Sequence, residues 1–273
     1  MLEGSKSIYS IKRLIKKHGS KMIYKGFDIN NKVNVCIKMT PTDNNSVYSE
    51  KRMYSYMGNH NNIKKHYETF NKKGNDYIIT EWCDKELKNV TIHENDKRSK
   101  YKVVSDVVNG LYHLHKLNIV HNDIKIENIL FHNNNYKICD FDLSHKLDVD
   151  KIRANGTPLY LSPEKLLYKR YDTTSDIFGL GCVMYKLFFN SDYYNTFYEN
   201  IDILNIKNAI IKKQINKIDL YHYIYTKNCE IKSSDLLPFE KKLLLKTLQF
   251  DNRITIKELI NDTNYNKMIV CSI

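Results

Sequence analysis

The first eighty residues alternate short apolar runs with polar turns, which is the pattern of a small β-sheet. Residues rich in Ile, Val, Tyr and Phe and bounded by Gly, Asn or Asp are typical of strands. Such runs cover about residues 8–11, 21–27, 33–39, 66–71 and 77–81. Between the third and fourth runs, residues 46–57 place Val47, Tyr54 and Met57 on one face of a predicted helix. The pattern predicts a first lobe built from one sheet and one helix.

After about residue 83 the hydrophobic period changes to that of helices. Residues 101–116 carry an apolar stripe, whereas residues 176–189 are apolar nearly all round and are predicted to lie inside a core. Further helices are predicted at about 201–214, 237–249 and 255–262. The sequence therefore predicts one domain over residues 1–273, with an N-terminal lobe over 1–83 and a C-terminal lobe over 84–273.

Length and composition agree with two lobes that share a cleft. The chain has 273 residues, of which 42% are hydrophobic, and it contains no run of about eighteen apolar residues. We therefore expect an intracellular protein, cytoplasmic or nuclear, with no membrane span. Six cysteines lie far apart without a C-x-x-C pair, and ten histidines are scattered. We expect neither disulfides nor a His/Cys metal site.

The formal net charge of +12 suggests an acidic partner, nucleic acid or a membrane surface. Lysine is spread along the whole chain, which favours solvated faces over one binding surface. We interpret as solvated the lysine pairs at 16–17, 64–65, 72–73 and 212–213. Nucleic-acid binding stays open as the less favoured interpretation.

The chemistry concentrates in two short segments, His121–Asn128 and Asp140-Phe141-Asp142. Phosphoryl transfer needs a carboxylate that accepts the proton of the attacking hydroxyl, together with oxygen ligands for Mg²⁺. Asp123 suits the first task, and Asn128 and Asp140 suit the second. Taken singly, each of these side chains is more often a turn or capping residue. The intervening residues 129–139 are typical of a hairpin, which would bring Asn128 and Asp140 together.

The order of these residues resembles the H-R-D-x-K-x-x-N catalytic loop and the D-F-G motif of eukaryotic-type protein kinases. Val35-Cys36-Ile37-Lys38 resembles the V-A-I-K motif, and residues 156–164 resemble the end of the activation segment, with Ser-Pro-Glu in place of A-P-E. The resemblance implies an α+β, two-lobed kinase-like fold with a small β-rich N-lobe and a larger, mainly helical C-lobe. It also implies an ATP-dependent serine/threonine protein kinase acting on a protein substrate.

The resemblance assigns roles to individual residues. Asp123 would be the catalytic base, and Lys125 would offset charge on the transferred phosphoryl group. Asn128 and Asp140 would hold Mg²⁺ or Mn²⁺, and Lys38, paired with Glu50, would position the phosphates of ATP. The remaining expected ATP contacts are Gly19, Ile23, Glu81 and Cys83.

The resemblance also implies a set of supporting contacts. Thr157 would contact Asp123 and Lys125. Glu164 would pair with Arg253, and Asp176 would hold the backbone of the catalytic loop. These are scaffold roles.

Three positions depart from the family pattern. The phosphate-covering loop offers the single Gly19 where three glycines are expected, so Lys16, Lys17 or Lys21 are candidates to supply charge instead. Asp142 replaces the glycine of D-F-G, and Asn122 replaces the catalytic-loop arginine. These departures support an alternative, a pseudokinase that acts as a binding or decoy scaffold without turnover.

Two of the cysteines are expected to differ in their exposure to the cleft. Cys139, directly before Asp140, is expected to face the cleft, where either proximity to Lys38 lowers the pKa of its thiol or the residue is a structural free cysteine, the more common outcome. Cys182, in the predicted buried helix, is expected to be inert.

Overall fold

The N-terminal lobe is an antiparallel sheet that carries one helix. The computed structural model describes residues 1–42, 45–147, 149, 156–168, 172–195 and 215–272, and the side chains of residues 45–49 are not described. The strands are β1 (Leu2–Glu3), β2 (Ile8–His18), β3 (Lys21–Asp28), β4 (Val33–Pro41), β5 (His66–Lys72) and β6 (Asn75–Glu81), in the order β1-β2-β3-β4-β6-β5. Helix α1 covers Asn45–Met57.

Strand β4 separates the small core of this lobe from the cleft. Val35 and Ile37 are fully buried in that core with Tyr77 and Ile79. Because successive side chains of a strand point to opposite faces, Cys36 and Lys38 lie on the other face and line a cavity between the lobes.

The C-terminal lobe is mainly helical. Its helices are α2 (Lys97–Lys116), α3 (Pro163–Tyr168), α4 (Thr173–Phe189), α5 (Lys217–Ser233), α6 (Pro238–Thr247), α7 (Ile256–Ile260) and α8 (Thr263–Val270). Short strands complete it: β7 (Lys85–Glu86), β8 (Ile119–Val120), β9 (Ile129–His132), β10 (Asn135–Ile138) and β11 (His145–Lys146). The predicted two-lobed α+β class is confirmed, and the division at residue 83 stays a prediction.

Helix α4 is the centre of this lobe, as its apolar sequence predicts. Ile177, Phe178 and Leu180 are fully buried. Gly179 lets α4 approach the catalytic loop, since a Cβ at this position would stand only 3.0 Å from the carbonyl oxygen of Ile124. The apolar helix and its glycine thus fix the distance between the core and the loop.

Several elements escaped the sequence prediction. Helix α3 and the short strands β1, β7, β8 and β11 were not predicted, and strand β2 continues from residue 11 to His18. Helices α5 and α8 were not predicted either. Both helices begin at capping side chains: Asn216 accepts a hydrogen bond from the Ile218 amide (2.9 Å), and Asp262 accepts one from the Asn264 amide (2.7 Å). The helix predicted at 201–214 lies outside the described residues. Within the described part of the chain, no helix is both long and apolar enough to cross a membrane.

Candidate active site

A buried carboxylate at the start of α4 fixes the backbone of the catalytic loop. Asp176 accepts hydrogen bonds from the amides of His121 and Asn122, both at 2.8 Å. It also contacts Nε2 of His115 at 3.0 Å. Burial opposes ionisation of Asp176, but the hydrogen bonds from His115 and the loop amide hold its pKa below the usual value. The predicted contact between Asp176 and the loop backbone is present.

Asp123 is held by three neighbouring side chains. Its Oδ1 accepts hydrogen bonds from the hydroxyl (2.8 Å) and the amide (3.0 Å) of Thr157. Its Oδ2 lies 2.6 Å from Nζ of Lys125 and 3.0 Å from Nδ2 of Asn128. Burial opposes ionisation, but the charge of Lys125 prevails and lowers the pKa of Asp123. The carboxylate is therefore ionised at neutral pH and oriented on both oxygens.

The hairpin of β9 and β10 brings Asn128 and Asp140 together, as its sequence predicts. Ile129 pairs with Ile138, and the amide of Cys139 donates to the carbonyl oxygen of Asn128 at 3.0 Å. Asn128 and Asp140 both line the cavity between the lobes. Asp140 adopts a φ of 67°, a conformation that carboxylate and amide residues tolerate better than most.

Lys38 reaches into this site from strand β4. Its Nζ lies 2.7 Å from Glu50, which confirms the predicted contact, and 3.1 Å from Asp140. Glu50 is 3% exposed and belongs to α1. The ring of Tyr54, one turn further along α1, lies edge-on to Phe141 with centroids 5.3 Å apart. Helix α1 is thereby anchored to the segment that carries Asp140.

Asp142 forms ion pairs that the sequence did not predict, although its carboxylate was expected near the metal-binding residues. It lies 2.8 Å from Nζ of Lys38 and forms a second ion pair with Lys21 on β3. Asp142 has no positive φ, so the backbone at this position does not require glycine. The only signal in the sequence was the departure from D-F-G, which did not identify either lysine as its partner.

Glu50, Asp140 and Asp142 form a carboxylate cluster, and each offers an oxygen atom within 4.8 Å of the others. Burial and the neighbouring carboxylates raise the pKa of Glu50 to about 8, although Lys38 opposes the change. Burial opposes ionisation of Asp142 as well, but the charges of Lys38 and Lys21 and a hydrogen bond from Glu50 hold its pKa low. Oxygen donors of this kind suit a hard divalent cation.

The cavity itself has a volume of about 350 Å³, within the range of small-molecule sites. Ile23 and Cys83, two of the predicted ATP contacts, line it together with Lys38, Asn128 and Asp140. Gly19 and Glu81 do not line it. Gly19 lies at the tip of the β2–β3 hairpin, and the Glu81 carboxylate is turned to the amide of Lys65 (2.6 Å) and to Nζ of Lys137 (2.9 Å). The assigned roles of all these residues stay predictions.

The prediction of a lowered pKa at Cys139 is wrong. Cys139 does line the cavity, but burial raises the pKa of its thiol, and the cation that opposes this rise is Lys64. Cys182, 2% exposed in α4, also has its pKa raised by burial. The interpretation of residues 64–65 as a solvated lysine pair is likewise wrong for Lys64, which lines the cavity, whereas Lys65 is exposed.

We expect alkylation to follow exposure. Cys229 and Cys271 are exposed, so iodoacetamide at pH 8 should modify them at least about tenfold faster than Cys139 or Cys182, whose thiols stay protonated. Peptide mass spectrometry over a time course measures the four rates. Modification of Cys139 as fast as that of Cys229 would contradict the assignment of a protonated thiol.

The end of the activation-segment-like region is tied to the C-terminal lobe by a bidentate ion pair. Arg253 donates from its two terminal nitrogens to Glu164 at 2.9 and 3.0 Å, as predicted. The guanidinium also lies 4.9 Å from the ring centroid of Phe178 on α4. Burial opposes ionisation of Glu164, but the hydrogen bonds and charge of Arg253 lower its pKa.

Comparisons with known proteins agree with this geometry. The family described as the protein kinase domain matches residues 9–264. A probable serine/threonine-protein kinase of Encephalitozoon cuniculi is 33% identical over 183 residues, which is 66% of this chain and 35% of that protein. The serine/threonine-protein kinase PLK4 of Drosophila grimshawi is 26% identical over 269 residues, 92% of this chain and 33% of that protein.

A third relative, the human serine/threonine-protein kinase Nek11, is 31% identical over 160 residues, 55% of this chain and 25% of that protein. The chain thus spans between a quarter and about a third of the length of these curated relatives.

Proposed function

The chain belongs to the protein kinase domain family, and on that premise we propose that it transfers the γ-phosphate of ATP to serine or threonine hydroxyls of a protein substrate. One observation carries the proposal. Lys38, Asp123, Asn128 and Asp140 meet at one cleft, and Lys38 is paired with Glu50. A binding scaffold does not require these groups together. We further propose that residues 1–273 form a single kinase domain whose lobes divide near residue 83.

Asp123 acts as the base in this proposal. Its pKa is lowered by Lys125 in spite of burial, so the carboxylate is ionised and can accept the proton of a substrate hydroxyl. The hydrogen bonds from Thr157 and Asn128 hold the carboxylate in one orientation. Lys125, beside Asp123, places a positive charge where the phosphoryl group would move.

Lys38 would hold the phosphates of ATP. In the structure its Nζ contacts Glu50, Asp140 and Asp142, so phosphate oxygens would take the place of one of these carboxylates. Asn128 and Asp140 would bind Mg²⁺ or Mn²⁺, with Asp142 close enough to add a further oxygen. When bound, the cation would neutralise negative charge on the phosphates.

The preference for serine or threonine rests on Lys125 and Thr157. Nζ of Lys125 donates to the hydroxyl of Thr157 at 2.6 Å, and both contact Asp123. This pair resembles the arrangement of serine/threonine kinases. The three relatives, all named as serine/threonine-protein kinases, agree with it. No comparison favours the pseudokinase alternative, which rests on the single Gly19 and on Asp142.

Transfer of labelled phosphate tests the proposal. Purified protein is incubated with γ-labelled ATP, Mg²⁺ or Mn²⁺ and a generic protein substrate, and phosphoamino acids are separated after hydrolysis. We expect phosphoserine or phosphothreonine. Predominant phosphotyrosine would contradict the substrate preference, whereas incorporation no greater than that of Asp123→Asn would favour the pseudokinase.

A further inference from the structure

Lys64 lies in the same cavity as Lys38, among three cysteines. Lys64 lines the cavity with Cys36, Cys83 and Cys139. Its backbone amide donates to the carbonyl oxygen of Ile138 at 2.9 Å, which holds the residue beside the segment that leads to Asp140. Its side chain interacts electrostatically with the thiols of Cys36, Cys83 and Cys139. An ammonium group therefore lies against the wall of the cavity that carries these thiols.

Lys64 has no anionic partner among the residues that the structure describes. No carboxylate oxygen lies within 4 Å of its Nζ, whereas Nζ of Lys38 has three such neighbours. The thiols do not neutralise it, because burial raises the pKa of Cys83 to about 12 and raises that of Cys139 too. Sulfur is also a weak acceptor. The ammonium group of Lys64 therefore has N–H donors without strong acceptors. A ligand with oxygen or nitrogen acceptors would satisfy them.

Lys64 would contact the base of a bound nucleotide and not its phosphates. Under the proposed function, Lys38 and Asp140 mark the phosphate end of the cavity. Ile23 on β3 and Leu130 on β9 line the cavity from the two lobes, as the faces of a flat aromatic base require. Lys64 and Cys83 line it too, without contacting the carboxylates around Lys38. Nζ of Lys64 is therefore available to the edge of a base.

The chemistry of that edge differs between the two purines. An ammonium group donates hydrogen bonds and accepts none. Adenine presents the acceptor N7 next to an amino group that only donates, whereas guanine presents two neighbouring acceptors, N7 and O6. We propose that Lys64 determines base specificity and makes the cavity accept guanine nucleotides, so that GTP as well as ATP serves as the phosphoryl donor. This inference rests on the proposed function.

Equilibrium binding of ATP and GTP with Mg²⁺ tests the inference without turnover. Isothermal titration calorimetry is carried out on wild type, on Lys64→Met and on the control Lys65→Met, whose lysine is exposed and lies over the ring of Tyr67. We expect wild-type dissociation constants for ATP and GTP within about tenfold of each other. Lys64→Met should shift the ratio toward ATP by about tenfold or more, and Lys65→Met should leave it unchanged.

A second variant and the contrary outcomes complete the test. Lys64→Gln keeps a polar end that accepts as well as donates, so it should also shift the ratio toward ATP. A shift below about threefold in both variants, or exclusion of GTP by the wild type, would overturn the role of Lys64 while ATP binding upholds the nucleotide site. Failure of both nucleotides to bind would overturn the nucleotide site itself. Thermal unfolding of each variant checks that it is folded.

Discussion

Asp123→Asn is expected to lower the rate of phosphate transfer by about 10²-fold or more, the scale of losing a positioned acid–base group. The amide has nearly the shape of the carboxylate, so it can still accept the hydrogen bonds of Thr157. It carries no charge, however, and cannot take the proton of a hydroxyl. It also loses the ion pair with Lys125 at 2.6 Å. Initial rates with γ-labelled ATP at saturating substrate measure the effect.

Asp219→Asn is the matched control for this substitution. Asp219 is exposed in the first turn of α5 and does not line the cleft, so Asp219→Asn should leave the rate within about twofold of the wild type. Thermal unfolding of both variants checks that any loss of rate is not a loss of fold. Equal rates for wild type and Asp123→Asn would show that Asp123 is not the base.

Arg253→Met is expected to lower the free energy of unfolding by about 3–5 kcal/mol, because it leaves a partly buried carboxylate without its partner. Arg253 is 7% exposed, and the substitution removes both of the hydrogen bonds that its guanidinium donates to Glu164. The pKa of Glu164 is lowered in the folded protein: burial opposes this, but Arg253 prevails. Stability from the pair is therefore present at neutral pH and lost as the pH falls through that lowered pKa.

Urea unfolding of a double-mutant cycle measures the pair. Because Glu164→Leu with Arg253→Met removes both charges, the double variant should lose less stability than the two single losses added together. The single Arg253→Met loss should also shrink at acid pH. A loss below about 1 kcal/mol at pH 7, or strict additivity, would mean that the ion pair contributes little.

The parts of the site that could be predicted depend either on neighbours in sequence or on the resemblance to a family. Asn128 and Asp140 are joined by a tight hairpin, so their proximity follows from local turn chemistry. The pair of Lys38 and Glu50 could be predicted because the resemblance implies a helix glutamate as the partner of Lys38, and Glu50 lies in the predicted helix. The resemblance to a family supplied the long-range contacts of Asp176 and Glu164. The two-lobed class followed from the change of hydrophobic period near residue 83.

The parts that could not be predicted are set by packing between distant segments. Lys21 and Asp142 are 121 residues apart, and no periodicity relates them. Lys64 stands beside the exposed Lys65, so a lysine pair gives no sign that one member turns inward. Helix α5 buries Leu220, Ile224 and Ile231, but exposed apolar residues at Ile218, Tyr221 and Tyr225 blur its helical period. Its packing against the core therefore decides its state.

The ion pair of Lys21 and Asp142 has a consequence for the speed of nucleotide exchange. It joins β3 of the N-terminal lobe to the segment after Asp140, and its side chains are 25% and 14% exposed. A partly exposed pair is screened by dissolved ions. Under the proposed function, opening of the cleft requires a charge separation, and we expect nucleotide release to become faster as ionic strength rises. A glycine at position 142 could not form this ion pair.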